Sequence, residues 1–211
     1  MLTRRDLEVK EVNLSSAGEE VISLIIADGK KDINIITAYV PPKTSAWENE
    51  QYLTIKTNTL ERMKEEIVKK DKVVLMGDFN CKGVVWENYE VTDGNEWGEE
   101  MLNMMMDNLM TQWVKETTRC RGEDDPARLD LVFTRGLYLR KDIEHECPLG
   151  RSDHDILKFE LDLNIDSTQT NEGDEGRLNY NKANYHNLRE FFRGIDWSEM
   201  YYETDTQLKY D

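Results

Sequence analysis

The sequence is poor in cysteine and in positive charge, and the first of these shortages excludes two kinds of site. Its 211 residues include three cysteines, 27 lysines and arginines, and 43 aspartates and glutamates. Cys81, Cys120 and Cys147 are scattered and form no CxxC pair, so neither a disulfide framework nor a zinc site is expected. Reduced cysteines are typical of the cell interior, and we therefore expect an intracellular protein in the nucleus or the cytoplasm.

The shortage of positive charge limits how the chain can bind nucleic acid. Its formal net charge is -16, which excludes a broad cationic face that binds DNA by releasing counterions. Any contact with nucleic acid must therefore be local, or must depend on a metal ion or on a neighbouring domain.

Long hydrophobic runs are absent as well. The N-terminal stretch MLTRRDLEVKEV has no apolar segment of the kind that a secretory signal needs, and no apolar run approaches the ~20 residues that cross a bilayer. We therefore expect no membrane partner. The hydrophobic content of 38% is enough for one domain with a core and an additional segment.

Alternating strand and helix patterns predict an α/β fold. Glu20 to Ala27 and Asp32 to Val40 are rich in β-branched residues and are separated by a turn of sequence DGKK, so they predict a hairpin. Pro41 and Pro42 end the second strand because proline cannot donate to a ladder. The other predicted elements are helices over 48–70 and 99–110 and strands over 72–76, 128–133 and 156–163.

Two segments outside these elements carry their own expectations. The stretch from Cys81 to Gly98 contains three large aromatics and predicts a surface loop over the site. Residues 164–180 are polar and acidic, which is typical of a flexible linker. We therefore divide the chain into a domain over 1–163, a linker over 164–180 and a short helical connector over 181–211, with a helix over 182–192.

Four short phrases carry the candidate chemistry: TAYVPP at 37–42, MGDFN at 76–80, ARLDLVF at 127–133 and GRSDHDIL at 150–157. They place six polar residues at strand ends or just beyond them, where α/β proteins gather their chemistry. The six are Tyr39, Asp78, Asn80, Asp130, Asp153 and His154. A tyrosine, carboxylates, an amide and an Asp-His pair suit the hydrolysis of a phosphate ester.

The phrase around Asp78 has two interpretations. Asp78 and Asn80 are two residues apart after a buried strand, so in an extended backbone their side chains share a face, and Gly77 lets the main chain approach a ligand. The aspartate would orient or deprotonate the attacking water, while the amide donates to a phosphate oxygen. Alternatively, the phrase only forms a turn, in which the side chain of Asp78 caps nearby backbone amides. Tyr39 is either a phosphate contact or a half-buried tyrosine.

The Asp-His pair also has two interpretations. A protonated His154 would contact the phosphate, with Asp130 orienting its ring, and Asp153 would face a divalent cation. A buried carboxylate such as Asp130 is costly unless it is paired, so its alternative is a structural ion pair with Arg128 or Arg135. The SDH phrase alone is also consistent with a capped turn.

With these phrases in order, residues from about Glu20 to Leu163 resemble the endonuclease/exonuclease/phosphatase family, and more narrowly the apurinic-type endonuclease domain of non-LTR retrotransposons. The resemblance implies a four-layer α/β sandwich of two packed β-sheets with flanking helices, a DNA substrate and Mg²⁺, with Mn²⁺ as a substitute. It implies phosphate contacts for Tyr39 and His154, water activation by Asp78, a transition-state contact by Asn80, and orientation of His154 by Asp130. The implied metal ligands are Asp78, Asn80 and Asp153.

Two departures from the family pattern weaken the expected activity. Family members begin with strands that bear an asparagine and the principal Mg²⁺-binding glutamate, and the residues before Glu20 are too few to supply them. We therefore expect an incomplete, N-terminally truncated sandwich that lacks its first strands, binds Mg²⁺ weakly, and has weak or lost nuclease activity. In addition, Pro42 replaces the usual asparagine. The tail resembles the connector to a reverse transcriptase domain, a linked partner in the parent element.

Two other functions remain open from the sequence. A phosphatase of the same family that acts on a small or lipid phosphate would carry the same GDFN and SDH phrases. A non-catalytic remnant or a protein-binding fragment would carry them without turnover. No GxGxxG, GxxxxGK[ST], HExxH or GxSxG motif supports any other catalytic class.

Overall fold

The computed structural model describes residues 7–14, 18–29, 31–44, 48–120, 125–162 and 185–194, together with residues 1, 3 and 122. The chain divides into two compact units, Met1–Asp166 and Ser167–Asp211. In the second unit, the described residues form one helix, Tyr185–Gly194. The predicted linker, 164–180, and the rest of the predicted connector lie outside the described residues.

The elements of the first unit follow the predicted alternation of strands and helices. In chain order they are β1 (Val9–Asn13), β2 (Val21–Ile26), β3 (Ile33–Tyr39), α1 (Asn49–Ile67), β4 (Lys72–Asp78), β5 (Val84–Val85), β6 (Glu90–Val91), α2 (Glu96–Asp107), β7 (Thr111–Gln112), β8 (Asp130–Arg135), β9 (Glu144–Glu146) and β10 (Ile156–Lys158). The helix of the second unit is α3.

Six strands form the central sheet, in the order β1-β2-β3-β4-β8-β7. The predicted hairpin is confirmed, because β2 pairs antiparallel with β3 from Val21 opposite Ala38 to Ile26 opposite Ile33. Helix α1 then carries the chain over to β4, which pairs parallel with β3. The other pairs in this sheet are antiparallel. Two smaller sheets consist of β9 with β10 and of β5 with β6.

The two helices cover one face of the sheet, and residues that follow β10 pack on the other. Leu60 and Met63 of α1 cluster with Leu75 of β4 and with the buried residues of α2. Val74 points to the opposite face because side chains alternate along a strand. There it clusters with Leu24, Ile26, Ile33 and Leu137, against which Phe159 and Leu161 pack. These layers confirm the predicted α/β sandwich.

A buried carboxylate joins α1 to the sheet. The side chain of Glu66 has no exposed surface, and it accepts a hydrogen bond of 2.8 Å from the hydroxyl of Ser23 on β2. Arg62 and Lys69 each lie 2.7 Å from one of its oxygens. Three partners therefore compensate for removing this charge from water.

Several predicted boundaries differ from the structure. Helix α2 begins three residues earlier than expected, since the side chain of Asn95 caps the amide of Gly98 at 3.0 Å. Strand β8 begins at Asp130 rather than at Arg128, which puts the carboxylate at the start of the strand. The expected surface loop over 81–98 instead buries Trp86 against Phe133, and it contains the short strands β5 and β6.

Candidate active site

Three of the predicted site residues lie side by side on neighbouring strands. Tyr39 at the end of β3 is opposite Asp78 at the end of β4. Asp78 is in turn opposite Asp130, the first residue of β8. Because paired residues of neighbouring strands direct their side chains to the same face, the register places all three on one face of the sheet. Tyr39 is the most exposed of them, with 44% of its surface accessible.

The backbone at the end of β4 depends on a glycine. Gly77 has φ +149°, and a Cβ at this position would lie 1.8 Å from the carbonyl oxygen of Ala38. The main chains of β3 and β4 therefore approach more closely here than any side chain would allow. The glycine of the MGDFN phrase sets this close approach immediately before Asp78.

Asn80 holds the carboxylate of Asp78 in place. Its backbone amide donates to Asp78 Oδ1 at 3.0 Å, and its side-chain Nδ2 donates to Asp78 Oδ2 at 3.1 Å. The same Nδ2 donates to the carbonyl oxygen of Val40 at 2.9 Å, so both of its N–H groups have partners. Asp78 therefore caps the turn, as the second interpretation expected, and also lies beside Asp130.

Asp130 and His154 form a hydrogen-bonded pair. His154 Nδ1 lies 2.8 Å from Asp130 Oδ2, and the two side chains are 28% and 22% exposed. An ionised carboxylate only accepts, so Nδ1 carries the proton and Nε2 is the ring nitrogen left for substrate or metal. The alternative partners of Asp130 make other contacts: Arg128 pairs with Glu87 at 2.8 Å, and Arg135 donates to backbone carbonyls at the end of α1.

Thr118 is a site residue that the sequence analysis missed. Its buried hydroxyl donates to Asp130 Oδ2 at 2.7 Å and accepts from the backbone amides of Leu129 and Asp130 at 3.1 and 3.0 Å. It therefore fixes the carboxylate to which His154 is bonded. No periodic pattern marks Thr118, because it lies in an irregular segment between β7 and β8.

Asp153 immediately precedes His154 and forms an ion pair with an arginine. Arg119 Nε donates to Asp153 Oδ2 at 2.9 Å. This bond holds the pKa of Asp153 below its usual value. Asp153 is therefore bound by a guanidinium in this structure, whereas the resemblance implies that it faces a metal ion.

Asp78, Asp130 and His154 converge closely enough to share a cation. One ligand atom from each lies within 4.8 Å of those of the other two. Burial raises the pKa of Asp78, and the negative charge of Asp130 adds to this effect, while the amide of Asn80 opposes it. Two carboxylates and an imidazole are suitable ligands for a divalent cation. A bound cation would also relieve the repulsion between the two carboxylates.

Among the described residues, no helix is both long and apolar enough to span a membrane.

A sequence model described as endonuclease-reverse transcriptase matches residues 33–158, a range that includes all six candidate residues. Among solved structures, a Neisseria 3′ phosphatase, NExo, bound to a product DNA hairpin, is 16% identical over 74% of this chain and 72% of that one, with a TM-score of 0.56. The 3′-5′ exonuclease NExo from Neisseria meningitidis is 17% identical over 72% of each chain, with a TM-score of 0.53.

The endonuclease domain of TRAS1, a telomere-specific non-LTR retrotransposon, is 17% identical over 79% of this chain and 72% of that one, with a TM-score of 0.49. No curated protein matches the sequence. At these identities, the two NExo structures show that the fold is shared.

Proposed function

The chain belongs to the endonuclease-reverse transcriptase family, a branch of the endonuclease/exonuclease/phosphatase proteins, and from this premise we propose that it hydrolyses phosphodiester bonds of DNA with the help of a divalent cation. The observation that carries the proposal is the convergence of Asp78, Asp130 and His154 within 4.8 Å. These residues come from three distant phrases, and a purely structural role for any one of them would not require the other two.

Asp78 is the base in this proposal. A carboxylate whose pKa is raised by burial accepts a proton from water more readily than an ordinary aspartate does. Because both N–H groups of Asn80 Nδ2 are bonded to Val40 and Asp78, we assign Asn80 the role of positioning the base. This differs from the transition-state contact that the resemblance implies.

His154 is the group that contacts the phosphate. Its Nδ1 proton is bonded to Asp130, which orients the ring, and a His154 protonated at both nitrogens would donate from Nε2 to a phosphate oxygen. The charge that develops on the phosphate in the transition state favours a donor fixed in advance. Tyr39 follows along the same face, and its hydroxyl is the second candidate donor to the phosphate.

Asp78 and Asp130 are the residues whose carboxylates would hold the cation, Mg²⁺ or Mn²⁺, while the ring of His154 contacts the phosphate beside it. When bound, it would polarise a phosphate oxygen. Among the described residues, no glutamate joins this cluster, so the fixed negative charge around the ion is small and we propose that turnover is weak.

A reverse transcriptase domain linked in the parent element is the partner that the family description favours.

The test is Mg²⁺- or Mn²⁺-dependent nicking of supercoiled plasmid. His154→Ala and Asp78→Asn should each lower the nicking rate by at least about 100-fold, the usual contribution of an acid-base group. The matched controls are His186→Ala and Asp162→Asn, which change exposed residues outside the cluster and should nick at the unmodified rate.

Nicking that persists in both site variants would assign the activity to another source. Phosphate release from small phosphate esters, without nicking, would favour the phosphatase function instead.

A further inference from the structure

The segment that contains Thr118 and Arg119 lies between the residues that lead into β8 and the residues around His154, and its backbone is bonded to both. The backbone of Arg119 forms antiparallel bridges with Ala127 on one side and with His154 on the other. The amide of Asp155 donates to the carbonyl of Thr118 at 2.8 Å. Arg119 is therefore fixed at the level of His154 by its main chain as well as by its side chain.

The side chain of Arg119 is anchored by Asp153. Their bond of 2.9 Å joins two groups that are 20% and 33% exposed, so the guanidinium is partly covered and partly accessible to solvent. In exposed pairs, the entropy of holding two long side chains offsets much of the attraction. Here the backbone bridge already restrains both residues, since Asp153 immediately precedes His154.

The charges around the cluster oppose the approach of a phosphate, and a positive side chain beside the cluster would offset them. The chain has a net charge of -16, and the site itself contributes the carboxylates of Asp78 and Asp130. An arginine is suited to this role because its planar fork can bind a phosphate through two parallel hydrogen bonds. Arg119 is the arginine whose backbone is bridged to His154.

We propose that Arg119 binds a backbone phosphate of the substrate strand beside the scissile one, and that Asp153 anchors Arg119 rather than ligating a metal ion. This assignment rests on the proposed function, because it concerns the same site and the same DNA substrate. It gives the aspartate of the SDH phrase a different partner from the one that the resemblance implies.

The experiment measures the binding of the full chain to a fluorescein-labelled DNA duplex by fluorescence anisotropy, in EDTA and over a series of salt concentrations. Arg119→Ala should weaken binding by about tenfold and reduce the slope of log affinity against log salt by about 0.9, the value for one phosphate contact. Arg119→Lys should recover part of the affinity, since it keeps the charge and loses the fork.

The matched control is Arg140→Ala. Arg140 also pairs with an aspartate, Asp162, at 3.2 Å, but 55% of its side chain is exposed and it follows the end of β8 that is remote from Asp130. It changes the net charge by the same amount, and its affinity should stay within about twofold of the unmodified chain. Circular dichroism of every variant verifies that the fold is retained.

Asp153 supplies the second half of the test. Asp153→Asn should weaken DNA binding, and in the Arg119→Ala background it should have no further effect, because the two residues act as one unit. Additive effects would overturn the proposal, as would an Arg119→Ala variant that binds DNA as the unmodified chain does. A rise of about tenfold in the Mn²⁺ concentration for half-maximal nicking, seen in Asp153→Asn and not in Arg119→Ala, would also overturn it by making Asp153 a metal ligand.

The outcomes separate this assignment from the proposed hydrolase. If Arg119→Ala weakens DNA binding as expected but the unmodified chain does not nick DNA, the phosphate site is supported and the proposed hydrolase activity is refuted. If the unmodified chain nicks DNA and Arg119→Ala binds and nicks it equally well, the hydrolase activity is supported and the phosphate site is refuted.

Discussion

Replacing Thr118 by valine should both unfold the protein more easily and disturb the site. The hydroxyl has three partners: the carboxylate of Asp130 and the backbone amides of Leu129 and Asp130. Valine has nearly the same shape and no hydroxyl, so the buried amide of Leu129 and the part-buried amide of Asp130 lose this acceptor. Each unsatisfied buried group costs about 1–3 kcal/mol, and we expect Thr118→Val to lower the free energy of unfolding by about 2–4 kcal/mol.

Thr118→Ser is the matched control. Serine keeps the hydroxyl and loses one methyl group from a site with no exposed surface, which should cost about 1 kcal/mol. Urea denaturation measures both variants, provided that the slope of free energy against urea concentration is unchanged. Nicking should fall in Thr118→Val and persist in Thr118→Ser. A valine variant at least as stable as the serine variant would show that the hydroxyl does not hold this segment together.

Three further predictions concern the same unit. Because burial raises the pKa of Asp78 in the metal-free chain, its carboxyl carbon, followed by NMR in EDTA, should titrate above the ordinary range for aspartate, and titration within or below that range would contradict this. Gly77→Ala, whose Cβ would lie 1.8 Å from Ala38 O, should lower the melting temperature sharply and cost more than about 3 kcal/mol; a wild-type melting curve would contradict it. Glu66→Ala should cost about 3–5 kcal/mol at pH 7. Burial raises the pKa of Glu66, but its partners Lys69, Ser23 and Arg62 lower it by more, so the folded-state pKa lies below the ordinary value of 4.5. The stabilisation that Glu66 gives the fold is therefore complete above pH 4.5 and is lost as the pH falls through the lower folded-state pKa. Acid titration of stability, comparing Glu66→Ala with the unmodified chain, should show the difference shrinking at low pH.

Local patterns were sufficient to predict the elements that carry Tyr39 and Asp78. The hairpin of β2 and β3 follows from two β-branched runs with a DG turn between them, and the short apolar run of β4 ends in a glycine. Each of these signals lies within about ten residues, so no distant contact is needed to recognise it. The order of the phrases then predicted a common site, and the structure places Asp130 and His154 at 2.8 Å.

Distant contacts explain what the sequence did not reveal. Strand β1, with sequence VKEVN, has only two apolar residues, and it is a strand because it pairs with the edge of β2. Thr118 and Arg119 acquire their roles from partners 12 and 34 residues further along the chain. No local period records such partners. The prediction of a surface loop was also wrong at Trp86, because the free energy gained by burying its large aromatic side chain outweighs the tendency of the residues around it to form an exposed turn.

The parallel pairing of β3 with β4 has a consequence for how the protein reaches its working state. Tyr39 and Asp78 meet only after α1 has crossed over, and β8 and the segment before β10 must then add Asp130 and His154. Assembly of this kind depends on loop closures between remote parts of the chain, which slows folding. A nascent chain that has emerged only as far as α2 would therefore display a tyrosine and an aspartate with no imidazole beside them, and any ability to cut DNA would appear late, once synthesis has passed residue 154.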